Sequence, residues 1–494
     1  MTADPDWVRR TDVLLRPDPA RVVSALFLPG QETVTAGESR SGKVLERVMA
    51  LSDDEVAAEL DALALAFDGR HRDLRSVWAA HFRLVQHRLG DPSEVDADRR
   101  ALVGATFTHE VTLEGAALFN PSVVAHPDQS GVVAGSLRFV LTLRAVGEGH
   151  VSSVELRTGT IDAAGSVALD PAPDVAVRAE VRPATYSRAG FEHQLADLGG
   201  DLTNAEFVLA RLGPTFDRDE LDRALGELRE QRVTRGAAVR TVEMFEWMAA
   251  CTYAVEFPAD SATGERVLMP HGPAESHGIE DVRMVRLETG EYVGTYSAYD
   301  GATVSVQMLR TWDLVGFTAT RLSGPGARDK GLALFPRPVG GRRLALSRAD
   351  RESNGVCSSA DLLHWDEPVS IQRPVQGWEV VQLGNCGSPI ETEDGWLVLT
   401  HGVGPMRVYS IGALLLDLDE PTVVVGRLER PLLTPAPDER SGYVPNVVYS
   451  CGALLHGRTL VLPYGTSDTA TRIALVDLDA LLAELRARPT KEPR

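Results

Sequence analysis

Over residues 41–89 apolar side chains recur mostly at spacings of three and four: Val44, Leu45, Val48, Met49 and Leu51, then Val56, Leu60, Leu63 and Phe67. That period predicts amphipathic helices. Ser52, with Glu55 three residues on, supplies a capping-box start for one of them. A second helical region is predicted over 191–251. Within it, 215–231 is rich in Asp, Glu, Arg and Leu, as an exposed amphipathic helix would be.

Elsewhere the pattern is of strands. A turn glycine, a short β-type apolar run and then polar or aromatic residues recur after Gly290, Gly341, Gly395 and Gly457, with an earlier copy after Gly135. The later copies stand about 50 to 60 residues apart, the spacing of propeller blades. A β-sandwich with irregular loops is the alternative. A second recurrent element, 359–365, places a turn between strands, with Trp365 to pack between blades; Trp312-Asp313 sits comparably one blade earlier. The expected fold is mainly β: a five-bladed β-propeller with added α-helical segments. Residues 1–105 form an amino-terminal segment with helices. Residues 106–480 form the propeller, with a helical insertion at about 190–252, and 481–494 a polar tail.

The composition of the 494 residues, 44% hydrophobic and 24% charged, is that of a globular chain with a sizeable core. A net charge of −20 disfavours nucleic acid and anionic membranes as partners. Cys251, Cys357, Cys386 and Cys451 show no zinc-ligand spacing and are too few for a disulfide framework, so no metal is expected. The amino end lacks the apolar run of a signal peptide, and no stretch of about 18 apolar residues occurs. A cytoplasmic protein is expected. Apolar stripes on the helical parts would suit a homo-oligomer; packing against the propeller is the other use for them.

In a propeller the innermost strands converge, so polar residues far apart in sequence can share one pocket. Glu280-Asp281-Val282-Arg283 puts two carboxylates and an arginine at a strand; a buried carboxyl there could protonate a leaving oxygen. Asn120 before Pro121 marks a strand start or turn and could hold a hydroxyl. His401 closes an apolar strand before Gly402. Tyr443, Asn446, Tyr464 and Asp468 lie near strand ends. Arg144, Lys330, Arg348 and Arg407 could bind an anion if they converge. Each also has a plainer reading, as turn, cap or surface charge.

The strings FNPSVV, GIEDVR, TYSAYDG, ALFPRPVGGRRLALSR, GSPIETEDGWLVLTHGV, GALLLDLDEP, GYVPNVVYSCGA and YGTSDT occur in that order. Together they resemble glycoside hydrolase family 130, over about residues 115–475 less the helical insertion. The amino-terminal helical part is similar to the long bacterial branch of the family. The resemblance implies a five-bladed propeller that cleaves β-mannosidic bonds with inversion. In most members this is reversible phosphorolysis to mannose 1-phosphate, and in some it is hydrolysis. It makes Asp281 the catalytic acid, acting through a sugar hydroxyl, with Val282 where the family motif has proline. Asn120, Ser122, Arg144, Arg283, Asn446 and Asp468 fall to the mannoside, and Lys330, Arg348, His401 and Tyr409 to phosphate. Gln382 stands where phosphorylases carry a lysine; the loss of one charged hydrogen bond is worth about 1.5–3 kcal/mol. Hydrolysis would need a general base, for which Glu280, Asp329 and Glu439 are candidates. The expected substrate is a β-mannoside oligosaccharide, with no cofactor beyond inorganic phosphate as co-substrate. A sugar-binding propeller without turnover is the remote alternative.

Overall fold

Gly135, Gly290, Gly341, Gly395 and Gly457 all adopt positive φ, from 58° to 145°, where a Cβ is costly. Each turns the chain into a strand: Leu137–Val146, Tyr292–Tyr299, Arg343–Ser347, Gly395–Val403 and Thr459–Thr466. The structure, a computed structural model, describes residues 4–29, 39–199, 202–231 and 235–487.

Around these strands lie five antiparallel meanders. The first runs Ala117–Ala125, Leu137–Val146, Ser152–Ile161, Val167–Leu169; the second Gly278–Arg286, Tyr292–Tyr299, Val304–Thr311, Gly316–Arg321. The third runs Ala333–Leu334, Arg343–Ser347, Asn354–Ser359, Val369–Gln372; the fourth Gln382–Asn385, Gly395–Val403, Tyr409–Leu416, Val424–Arg427. In the fifth, Val448–Tyr449, Thr459–Thr466 and Ala470–Asp477 are completed by Val8–Leu15 from the other end of the chain. The first two meanders are joined by one parallel bridge, Gly278 to Ser152. A Cβ on Gly278 would lie 2.6 Å from the Ser152 amide nitrogen, so only glycine permits that approach.

Hydrophobic clusters fill the gaps between neighbouring meanders. Val140 and Leu156 meet Tyr292 and Tyr296; Val293 and Met308 meet Ala345 and Trp365; Leu346 and Val356 meet Trp396 and Leu414; Leu399 and Ile411 meet Leu462 and Tyr464. The fifth packs back on the first, Val461 and Ile473 against Leu118 and Leu141.

The helices have cores of their own. Ser52 caps Asp53–Ala66, its hydroxyl accepting the Glu55 amide while Glu55 accepts the Ser52 amide, and Val56 and Leu60 pack with Trp78, Phe82 and Phe107. In the insertion, Arg188–Leu198, Leu202–Leu209, Arg218–Gln231 and Arg235–Ala250 surround Phe191, Leu225 and Phe245. The chain leaves it through Tyr253–Glu256, which pairs with Gly316–Arg321 on the outside of the second meander. Among the described residues no helix is long and apolar enough to cross a membrane.

Three expectations change. The bounds 106–480 leave out Val8–Leu15, which was read as part of a separate amino-terminal segment but is a strand of the fifth meander, because its backbone pairs with Ala470–Asp477. The residues read as a polar tail from 481 begin inside a helix, Leu478–Arg486, whose Leu481, Leu482 and Leu485 are fully buried on the fourth and fifth meanders; 488–494 lie outside the described residues. Trp312 is 59% exposed and packs nothing between sheets. The two turns do match. Thr311 and Ser359 hydroxyls accept the amides of Leu314 and Leu362, and Asp313 and Asp361 carboxylates cap the following amides. In that register the counterpart of Trp365 is Phe317, which is buried.

Candidate active site

The inner strands of the first two meanders break register at the same place. The pairing of Ala117–Ala125 shifts between Phe119 and Ser122, and that of Gly278–Arg286 between Glu280 and Arg283. A bulge re-aims the side chain it frees. Here the freed residues are Asn120 and Asp281, with φ of 49° and 58°. Asn446 (62°) and Asp468 (49°) are held in the same left-handed region. Such strain in four polar residues from three of the meanders is maintained only where the surroundings impose it.

The bulges bring Asn120 and Asp281 together: the Asn120 amide donates to the Asp281 carboxylate at 2.8 Å. Arg144 reaches the same carboxylate at 3.8 Å and donates to Glu280 at 2.7 Å, with its guanidinium over the Phe119 ring. Lys330 donates to the other Glu280 oxygen at 2.7 Å. Burial pushes the Asp281 carboxyl up, but the charges of Arg144, Arg283 and Lys330 and the Asn120 hydrogen bond outweigh it, so it sits below the usual carboxylate range. Asp468 goes the other way. Burial and the adjoining Asp281 charge push it up to about 6, and Arg144 and Arg407 offset only part of this.

Arg283 lies under this group, 3% exposed. It donates to the Asp281 carbonyl at 3.0 Å and to the Tyr449 hydroxyl at 2.6 Å. The Tyr449 ring meets the His401 ring edge-on at 4.9 Å, and Tyr409 stacks on His401 at 6.1 Å. Burial, then the charges of Arg348 and Arg283, hold His401 well below its ordinary range, so it is neutral. Its Nδ1 lies 3.2 Å from the Asn385 carbonyl, which fixes the proton there. Nε2 is left to accept an N–H from Arg348 at 3.2 Å. The Asn385 side chain in turn donates to the Gly331 carbonyl at 2.6 Å, next to Lys330. The contacts therefore form a loop: Asp281, Arg283, Tyr449, His401, Asn385, Gly331, Lys330, Glu280 and back.

Most of the residues singled out in the sequence meet here. Asn120, Arg144, Glu280, Asp281, Arg283, Lys330, Arg348, His401, Tyr409 and Asp468 form one contiguous group; Asn446 adjoins it through its carbonyl, which accepts the Tyr409 amide. Ser122 does not face it. Fully buried, its hydroxyl accepts the Met284 amide and ties the two bulged strands together. Glu439 is elsewhere too, holding Arg10 and accepting the Tyr464 hydroxyl at 2.7 Å, which removes it as a candidate base. Asp329 is ion-paired to Arg351 at 3.1 Å. Gln382 donates weakly to the Tyr409 hydroxyl at 3.5 Å.

A family model described as β-1,4-mannooligosaccharide phosphorylase, of glycoside hydrolase family 130, matches residues 257–486. The 1,2-β-oligomannan phosphorylase of Thermoanaerobacter sp. is 32% identical over 214 residues, 41% of this chain and 70% of the relative. The chain belongs to glycoside hydrolase family 130. A β-1,2-mannobiose phosphorylase of the same organism is 32% identical over 245 residues, 48% of this chain and 79% of that one. A solved β-1,2-mannobiose phosphorylase from Listeria innocua aligns with a TM-score of 0.44 at 20% identity, over 76% of this chain and 94% of that one.

The family 130 match begins after Asn120 and Arg144; it is the fold that carries these two to Asp281. Sequence reasoning passed over Tyr449 and Asn385. Tyr449 sits in one of the strings that carry the resemblance and Asn385 two residues before another, but nothing in an isolated tyrosine or asparagine marks a buried tie to a partner far along the chain. With Arg144, Arg283, Lys330, Arg348 and Arg407 around Glu280, Asp281 and Asp468, the site has five cations against three carboxylates. It suits a ligand that brings negative charge.

Proposed function

We propose that this enzyme cleaves β-mannosidic bonds by phosphorolysis, with inversion, on a five-bladed propeller. What supports the propeller is the succession of five meanders, each packed on the next and the last on the first. The observation that carries the reaction is the cationic surplus around one carboxyl. With phosphate as nucleophile, a single acid suffices and basic side chains replace the second carboxylate.

In this reading a phosphate oxygen, held by Arg348 and Lys330, attacks the mannosyl C1 from the face opposite the aglycone. The C1–O bond breaks with its electron pair going to the leaving oxygen. Asp281 supplies the proton, through a sugar hydroxyl, and α-mannose 1-phosphate forms. Asn120 and Arg144 hold the carboxyl in place, and Asp468 and Asn446 grip the mannosyl unit. His401, neutral and fixed by Asn385, orients Arg348. Asp281 is ionised in the free site because three cations surround it. Dianionic phosphate offsets those cations and returns the proton affinity that an acid needs.

Gln382 favours a second reading, hydrolysis, by removing one cation from the phosphate side. Of the bases considered, Glu280 is engaged by both Arg144 and Lys330. The test is incubation with β-1,2- and β-1,4-mannobiose with and without inorganic phosphate. Mannose 1-phosphate forming only with phosphate is the expected result. Equal release of free mannose in phosphate-free buffer would overturn phosphorolysis in favour of water.

A further inference from the structure

Outside the active site, a cavity of about 340 Å³ lies where the helical insertion meets the second meander. Its wall on the insertion side includes Gln194, from the helix Arg188–Leu198, and Thr252, just after the last insertion helix. The sheet side includes Met308, Arg310, Thr318 and Thr320. A volume at the lower end of the range for small-molecule sites suits a molecule of about sugar size.

Two features of the wall point to a ligand and to its class. Gln194 is 2% exposed and Thr252 9% exposed, yet Gln194 Oε1 and Thr252 Oγ1 have no hydrogen-bond partner among the described residues. Buried polar atoms are almost always satisfied. Two unsatisfied ones beside the same cavity mark groups whose partners are to come from outside the chain. Second, the wall offers hydroxyls and an amide but no free charge. Its one cation, Arg310, is already forked on Glu291 at 2.8 and 2.7 Å. An anion would find no uncommitted cation, and an apolar ligand would strand the amide and hydroxyls. Molecules rich in hydroxyls satisfy both requirements.

We propose that this cavity is an accessory binding site for a neutral polyhydroxylated molecule, a sugar ring or an open-chain polyol, separate from the active site. It is independent of the reaction assigned above.

Met308 is a built-in reporter, since none of the other described methionines lines this cavity. The full-length chain, labelled with ¹³C at the methionine methyls, is titrated separately with D-mannose, mannitol and inorganic phosphate. Met308 is assigned by Met308→Leu. A saturable shift of the Met308 methyl with mannose or mannitol, and none with phosphate, is expected; which of the two acts distinguishes a ring from an open chain. Thr320→Trp and Thr318→Phe each fill the cavity from the sheet side. Both should abolish that shift, leave turnover unchanged and keep the other methionine resonances in place, which shows that they fold. A Met308 signal unmoved by both neutral compounds, a shift that survives both variants, or one produced by phosphate alone would each overturn the proposal.

Discussion

Arg283 spends one guanidinium nitrogen on the Tyr449 hydroxyl, 2.6 Å away and 166 residues on. The bond joins the strand that bears Asp281 to the ring that packs on His401, and so couples the proposed acid to the group that contacts Arg348. Tyr449→Phe leaves a fully buried guanidinium N–H without its partner. A lost hydrogen bond to a charged group is worth about 1.5–3 kcal/mol. The expected result is a fall of roughly ten- to hundredfold in kcat/KM for phosphate, read from initial rates at varied phosphate. A variant with wild-type kinetics would show the link to be idle.

Asn385→Ala removes the donor that holds the Gly331 carbonyl beside Lys330. Two neutral hydrogen bonds are lost, this one and that accepted from the Gly387 amide at 3.2 Å; the one that bears on Lys330 is worth about 1 kcal/mol. KM for phosphate should rise about fivefold, while KM for the mannoside stays near its starting value. If both constants move together, the residue serves the fold rather than the anion.

Asp281→Asn keeps the shape of the side chain and removes its proton. General acid catalysis contributes about 10²- to 10⁴-fold, and kcat should fall by that much. Binding of a mannobiose, followed by calorimetry, should persist, because Asp468 and Asn446 remain.

In the proposed mechanism Asp281 also sets the pH profile. Its carboxyl lies below the usual range in the free site, so the protonated form becomes scarce as pH rises through that lowered value. Bound phosphate offsets the surrounding cations and moves the proton loss upward. The falling limb of kcat, measured at saturating phosphate, should therefore lie at higher pH than that of kcat/KM. Coincident limbs would contradict the electrostatic part of the mechanism.

Asp468 has the opposite sign. Its folded value of about 6 exceeds the unfolded value of about 3.9. Its contribution to stability is complete below about pH 4 and is lost as pH rises through about 6. Two units correspond to roughly 3 kcal/mol, which solvent screening at a partly exposed side chain reduces to about 1–2 kcal/mol. Asp468→Asn should raise Tm by roughly 1–3 °C near pH 7.5 and leave it unchanged near pH 4, as followed by differential scanning calorimetry. Activity should fall in the same variant.

The contrast between turns and site explains what could be read from the residues. Turn glycines are local: a positive φ beside a β-type run is decided within a few residues, and the five read from the chain all take that conformation. Helix periodicity and the Ser52–Glu55 cap are local as well. Trp312 misled because the period of the turn, not the nearest aromatic, decides which ring points inward; counting from Thr311 and Ser359 selects Phe317. Ser122 and Glu439 misled for another reason. A hydroxyl or carboxylate beside a motif carries no mark of which way it faces, and these two are consumed by a strand amide and by Arg10. The left-handed backbone of Asn120, Asp281, Asn446 and Asp468 was partly legible, since Asn and Asp tolerate that region best. Tyr449 and Asn385 were not, because what makes them matter is the arrival of partners from other sheets.

The strand Val8–Leu15 is hydrogen-bonded into the fifth meander, where Thr11 bonds to Ile473, 462 residues away. During synthesis this strand must therefore stay unmatched until Ala470–Asp477 has left the ribosome. Four of the five sheets can assemble as they emerge, but the last is finished only by a segment made before any of them. Until then its backbone groups form an open edge, available for pairing with another strand for as long as the intervening sheets take to form.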